Sequence, residues 1–247
     1  LESLRASRGA AGGSGITALR SVLVATQVAL ALVLLIGAGL LVRTVHHLST
    51  TALGFDGDGL TTFTVTMPVP KYATEERQVQ FEREVLERIG SLPSVQASSA
   101  SVGVPLMVAT RASLSIFGRS DEAGRSEIAY MSMAPDFRAF AGMRLIAGRD
   151  LLPTDTNDSA PVVVINETMA RQYWPQGDAI GAKTRIGPGT TGPWIEVIGI
   201  VADVRQHGPV NPVMATAFGS TDQYSWPRRH FSVRSTVGRD ALAGDLR

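Results

Sequence analysis

With 247 residues, a net charge of +1 and 44% hydrophobic residues, the chain is long enough for one sizeable domain or two small intertwined ones, and it has no general attraction to nucleic acid. The absence of cysteine excludes disulfides, thiolate zinc sites and cysteine nucleophiles. No basic cluster is interleaved with aromatics, so a nucleic-acid interface is not expected.

The chain opens without methionine on LESLRASRGAAGGSGITALR, which reads as a stretch from inside a longer protein. Gly9, Gly12, Gly13 and Gly15 among small residues cannot build a core, so residues 1–20 are expected to be a flexible linker. Residues 21–42, SVLVATQVALALVLLIGAGLLV, carry no charge, and Gln27 is their one strongly polar side chain. At about 1.5 Å per residue this run covers a hydrocarbon core of roughly 30 Å. A soluble helix of that length would show a polar stripe, and none is present, so a transmembrane helix is predicted over 21–43. A cleavable signal peptide would have a shorter apolar region, about 7–15 residues. Arg5, Arg8 and Arg20 precede the run and Arg43 follows it, which places the leader in the cytoplasm and the remainder outside.

Ala25, Ala29, Val33 and Gly37 fall four apart and form a candidate helix-packing face, with Gln27 an amide that seeks a partner in hydrocarbon. Helical spacing continues through Val45 and Leu48 as a stalk to about residue 53, and Gly54 stops it. His46 and His47 are adjacent, so on a helix they point about 100° apart and cannot chelate one ion.

The outer part begins with a strand marked by Leu60, Phe63, Val65 and Met67 and closed by Pro68 and Pro70. A helix follows, with Thr74 as N-cap, Glu75 and Glu76 in the first turn, Phe81, Val85 and Ile89 four apart, and Gly90 and Pro93 at its end. A second strand at about 95–102 completes a crossover, which makes the two strands parallel in one sheet. Residues 112–117 and 128–133 read as strands, and 135–141 as a short helix before a strand edge and a turn at Gly148. A buried strand at 162–165 runs into a helix capped near Asn166 and ended by Trp174 and Pro175. Strands at 183–186 and 195–204 flank the turn GPGTTGP. HFSVRS is a further strand and VGRDALAGDLR the start of a helix, so the opening unit is repeated and its last strand is expected to be missing. An unfinished sheet of that kind would leave an unpaired edge.

Side chains that carry chemistry are few. GDAIGAKT (177–184) has the look of a phosphate loop, but Ala182 separates glycine from lysine and the spacing fails. No G-x-S-x-G accompanies His207 or His230. Asp203 and Arg205 are expected to pair at a strand end, Glu167 to favour the positive end of its helix, and Asp150, Asp155 and Asp158 to be solvated loop charges rather than a calcium cage. Catalytic, cofactor and metal residues are therefore expected to be none.

The segments LRSVLVATQVALALVLLIGAGLLVRTVHHL, GFDGDGLTTFTVTMP, PDFRAFAGMRLIAGRDL, VVVINETMARQYWPQGDAIGAKTRIG, WIEVIGIVADVRQHG and FSVRS, in that order, resemble the MacB-like periplasmic core domain of FtsX-type ABC transporter permeases, above all the long duplicated members. The resemblance implies an α+β fold with one N-terminal transmembrane helix and a two-lobed extracytoplasmic domain. Strand-helix-strand units at 60–102 and 229–247 would form a porter-like lobe, 103–215 an inserted, mostly-β lobe, and 55–247 a core domain truncated at its C-terminus. It further implies the bacterial inner membrane, a separate cytoplasmic ATPase, further permease transmembrane helices, a dimer or pseudo-dimer, and a periplasmic or outer-membrane partner. One departure is that GPVNPVMATAFGSTDQ has Met214 where the family pattern has tyrosine and lacks the second proline. Two functions are in play: a non-catalytic permease subunit that works in export or mechanical signalling, and a membrane-anchored binding or sensor domain. Further membrane spans shortly downstream discriminate them, since a tethered receptor requires none. An enzyme is a distant third, tested by activity of residues 55–247 lost on replacing Asp203.

Overall fold

The computed structural model describes residues 13–50, 53–68, 70–103, 110–119, 126–187, 192–205 and 211–245. Two compact units emerge, Leu1–Thr51 and Ala52–Arg247.

The first unit is a single helix, α1 (Gly13–Thr50). Its stretch Ala18–His46 is long and apolar enough to cross a membrane by length and composition. The helix begins inside the expected 1–20 linker. Residues 16–20, ITALR, continue the α-helix toward the N-terminus, because extending a formed helix costs far less than nucleating one and so tolerates Gly13 and Gly15. Residues 1–12 lie outside the described part. At its other end α1 runs on past the apolar stretch to Thr50.

The second unit starts with β1 (Leu60–Thr66), α2 (Glu75–Gly90) and β2 (Val95–Val102). Thr74 caps α2 as read, its Oγ1 accepting from the Arg77 N–H. β3 (Thr110–Ile116), β4 (Ser126–Met133), the one-turn α3 (Phe137–Phe140) and β5 (Leu145–Gly148) follow. Next come β6 (Val162–Asn166), α4 (Glu167–Tyr173), β7 (Lys183–Gly187), β8 (Ile195–Val201), β9 (Thr216–Ser220), β10 (Arg228–Ser235) and α5 (Arg239–Asp245).

β10 lies between β1 and β2 and is antiparallel to both, so β1 and β2 are parallel, as the crossover requires, without touching. Phe231 and Val233 of β10 pack with Ile89, Leu242, Phe63 and Phe81 to form the core of this porter-like lobe. The lobe's sheet ends at β1.

The inserted lobe is a closed ring of six strands, β4-β3-β7-β8-β6-β9 and back to β4, through a parallel β4–β9 ladder from Ala129↔Thr216 to Met133↔Ser220. Closure removes free strand edges. One core draws on all six strands, through Leu114, Ile128, Ile165, Ile186, Val197 and Ala217, and includes Met169 and Trp174 from α4 and its end. A second core lies on the opposite side of β6 and β8, with Val164, Val201, Phe137 and Met143. Both faces of β6 are thus covered, which is why VVVIN reads as a continuous apolar run.

β9 corrects the expected lobe boundary at 215, because the ring needs Thr216–Ser220. TAFGS has too few β-branched residues to signal a strand, yet all five of its residues are buried. Its small side chains are a packing requirement: a Cβ on Gly219 would sit 2.1 Å from the Tyr130 Oη.

Candidate functional site

The lobes are joined along β4. Its first half pairs with β3 in the ring, whereas its end reaches β2 of the porter-like lobe through only Ser101↔Met133 and Val102↔Ser132. So short a ladder does not hold two lobes by itself. A polar cluster on the segment that returns from β9 to β10 completes the junction.

Arg229 of β10 and Glu82 of α2 form a buried ion pair, Nε to Oε2, with the arginine fully buried and the Glu82 side chain 4% exposed. The remaining Arg229 donors go to the Trp226 carbonyl and the Ser225 Oγ, and the Thr221 Oγ1 donates to the Glu82 Oε1 at 3.0 Å. Ser225 in turn donates to the Gln78 Oε1 at 2.8 Å. Burial pushes the Glu82 carboxyl up, while the Arg229 charge and the hydrogen bonds from Arg229 and Thr221 pull it down and the Asp222 charge adds to the rise. From the same return segment, Gln223 reaches the ring lobe: its Oε1 accepts from the Val162 N–H at 3.0 Å and its Nε2 faces the Thr156 and Ala160 carbonyls and the Ser159 Oγ. Segment 221–226 is therefore a latch with one hand on each lobe. Beside it, Glu75, Glu76, Arg83, Glu84, Asp158 and Asp222 contribute to an open groove of about 420 Å³, in which Arg83 pairs with Asp222 at 2.9 Å.

A second polar hub sits at the end of β8. The Asp203 Oδ1 accepts from the Asn166 Nδ2 (2.8 Å) and the Thr168 N–H (2.9 Å), and its Oδ2 from the Thr168 Oγ1 (2.7 Å) and the Arg171 Nη2 (2.9 Å). Asn166 caps α4 through the Met169 N–H, as read, and also takes the Thr216 N–H and donates to the Met214 carbonyl. The hub ties α4, β8 and β9 together. Because position 214 contributes its backbone carbonyl, methionine there meets this contact as well as tyrosine would.

Residues 21–243 match the MacB-like periplasmic core domain. The chain belongs to that family. A MacB-like domain of this kind is a component of ABC transporter permeases, and here the match begins inside a helix long and apolar enough to cross a membrane. The MacB-like fold is also that of the periplasmic region of MacB from Actinobacillus actinomycetemcomitans, with a TM-score of 0.50 at 13% identity over 78% of this chain and 82% of that one. The extracellular domain of the noncanonic ABC-type transporter YknZ from Gram-positive bacteria is similar at 13% identity and a TM-score of 0.49, over 75% and 88% of the two chains. No curated protein sequence matches.

On this MacB-like scaffold several sequence expectations move. Asp203 pairs with Arg171, not Arg205, whose Nη1 donates instead to the Asn211 carbonyl. The strand ends at Val201, so the alternation that would align 203 with 205 no longer applies. Asp150 and Asp155 are not solvated: Asp150 pairs with Arg138, and Asp155 is 6% exposed and held by a two-point contact with Arg149 at 2.8 and 3.0 Å. Asp158 is exposed, as expected. Glu167 opens α4 and lies 3.7 Å from Arg171. GDAIGAKT forms the turn into β7. His230 meets the Thr64 Oγ1 at 2.9 Å, and His207 lies outside the described residues. Ala25, Ala29, Val33 and Gly37 are all exposed on α1, and a Cβ added to Gly37 meets nothing within 4 Å. His46 is exposed; the side chain of His47 lies outside the described part. Glu82 and Gln78 escaped the sequence reading, because two polar residues four apart on α2 look like its solvated face.

Asp155 gives the domain an acid limit. Burial opposes its ionisation, but the Arg149 hydrogen bonds, the Leu152 N–H and the Arg149 charge outweigh it and hold the carboxyl below its ordinary value of 3.8. A depressed carboxyl stabilises the fold above its unfolded value and loses that contribution as pH falls through the folded one. Asp155→Asn is therefore expected to cost about 1–2 kcal/mol at neutral pH. Urea melts at a series of pH values check this: the gap from the unmutated domain should close as pH falls below the ordinary carboxyl value of 3.8 and through the lowered folded one, and a pH-independent gap contradicts the assignment.

Proposed function

We propose that this chain belongs to a non-catalytic permease subunit of a MacB/FtsX-like ABC transporter, whose outer domain couples ATP-driven movement of transmembrane helices to export or to mechanical signalling outside the membrane. The observation that carries the reading is the length of α1. Its 38 residues extend roughly 57 Å as one helix, well beyond a hydrocarbon core of roughly 30 Å. A tether needs no such excess, whereas a lever does. Arg5, Arg8 and Arg20 before the apolar run, against Arg43 after it, favour a cytoplasmic N-terminus and an outer domain on the periplasmic side of the bacterial inner membrane.

In this reading α1 packs on further permease helices through Ala25, Ala29, Val33 and Gly37, where small side chains let backbones approach. A cytoplasmic ATPase supplies the energy, the assembly is a dimer or pseudo-dimer, and a periplasmic or outer-membrane partner receives the movement. ATP hydrolysis belongs to the separate subunit.

The test is assembly. The full-length membrane protein, extracted in mild detergent, is expected to co-purify with an ATPase in a fixed ratio and to change that enzyme's rate severalfold. A protein that carries no ATPase and leaves hydrolysis unchanged is an anchored sensor instead.

A further inference from the structure

Residues 53–56, where the chain enters the outer domain, are held from both lobes at once. On the ring-lobe side the Leu53 carbonyl accepts from the Arg205 N–H at 2.9 Å, and the Asp56 N–H donates to the Ala141 carbonyl at 2.8 Å. Phe55 packs against the core that contains Phe137, Met143 and Val201. Gly54 has φ +84°, and a Cβ on it would lie 2.2 Å from the Asp203 carbonyl oxygen and 3.0 Å from the Val204 Cα. Both the backbone conformation and the backbone approach exclude a side chain there. On the porter-lobe side Arg234 of β10 donates to the Asp56 and Asp58 carbonyls, its Nη2 lies 3.2 Å from the Asp56 carboxylate, and its guanidinium faces the Phe140 ring at 5.9 Å.

These contacts exceed what a loop leaving a helix needs. Leu53 and Gly54 lie on the backbone of 203–205, and the Asp203 carboxylate is the hub that organises α4, Asn166 and β9. Arg234 lies on the strand that also carries Arg229, to which the latch is bonded through Ser225 and Trp226. We propose that residues 53–56 are the clasp through which movement of α1 enters the domain, dividing it between β8 of the ring lobe and β10 of the porter-like lobe. Gly54 and Arg234 are its two positioning residues, one for each lobe. This rests on the permease reading.

Hydrogen exchange on the full permease with its ATPase, compared without nucleotide and trapped with ATP and vanadate, tests the clasp without knowing the transported substrate. In the unmutated complex, trapping is expected to change exchange at least threefold at amides of β8 and β10. Gly54→Val should speed exchange at the Arg205 and Asp56 amides at least tenfold and abolish the response to trapping in both strands, with the ATPase rate kept. Arg234→Gln, which strains no backbone, should lose the response at β10 and keep it at β8, with an unchanged circular-dichroism spectrum as the folding control. A trapped response that survives in both variants overturns the clasp and leaves the permease reading intact. The absence of any trapped response in the unmutated complex overturns that reading, and the clasp with it.

Discussion

Replacing Arg229 with methionine is expected to lower the stability of the strand-rich domain by about 3–5 kcal/mol, the range for breaking a buried ion pair from one side. Glu82 is then left with its Oε2 facing an apolar side chain, and among the described residues only the Thr221 hydroxyl remains as a bonding partner for its carboxylate. Burial already pushes this carboxyl up, so loss of Arg229 drives it further toward the protonated form. Ser225 and the Trp226 carbonyl lose their donors in the same step. For a domain of this size the loss corresponds to roughly 6–20 °C in thermal midpoint. The double replacement of Glu82 by leucine and Arg229 by methionine should recover most of it, because removing both charges also removes their desolvation cost. Thermal and urea melts of the two variants measure both effects. A single replacement that costs under about 1 kcal/mol would mean that water reaches the pair and that it does not anchor the latch at this lobe.

Inserting two glycines after Thr44 is expected to abolish the link between ATP hydrolysis and any response of the outer domain. The insertion leaves residues 21–42 intact, so membrane insertion should be unaffected. It adds about 1 kcal/mol of helix penalty for each glycine and turns everything beyond it by roughly 200° about the helix axis. Seven alanines at the same place serve as the control, since they preserve the helix and return the face to within about 20°. Hydrolysis rate and nucleotide-dependent exchange of the outer domain, measured side by side, decide the matter. A lever predicts loss with the glycines and retention with the alanines, and coupling kept in both would make α1 a tether.

The apolar helix and the capped helices α2 and α4 were legible from residues close in the chain, while the start of α1 at Gly13 was not. A run without charge, a Thr74 or Asn166 before a periodic stretch, and apolar residues four apart each act over a few positions, so local sequence carries the whole signal. The parallel relation of β1 and β2 followed from the strand-helix-strand crossover, because the helix carries the chain back and the second strand runs in the direction of the first. Three things waited for the tertiary structure. The closed ring depends on β9, a strand of small residues whose identity comes from what it packs against, Tyr130 above all. The Asp203 hub depends on where β8 ends, which turns the carboxylate toward Arg171 rather than Arg205. The latch is anchored by Glu82 and Arg229, 147 positions apart and paired within one lobe, and in the sequence each is an ordinary charged residue. Local order is written in short-range periodicity and caps, while the joints between lobes rest on long-range pairs of polar groups whose burial only the folded chain creates.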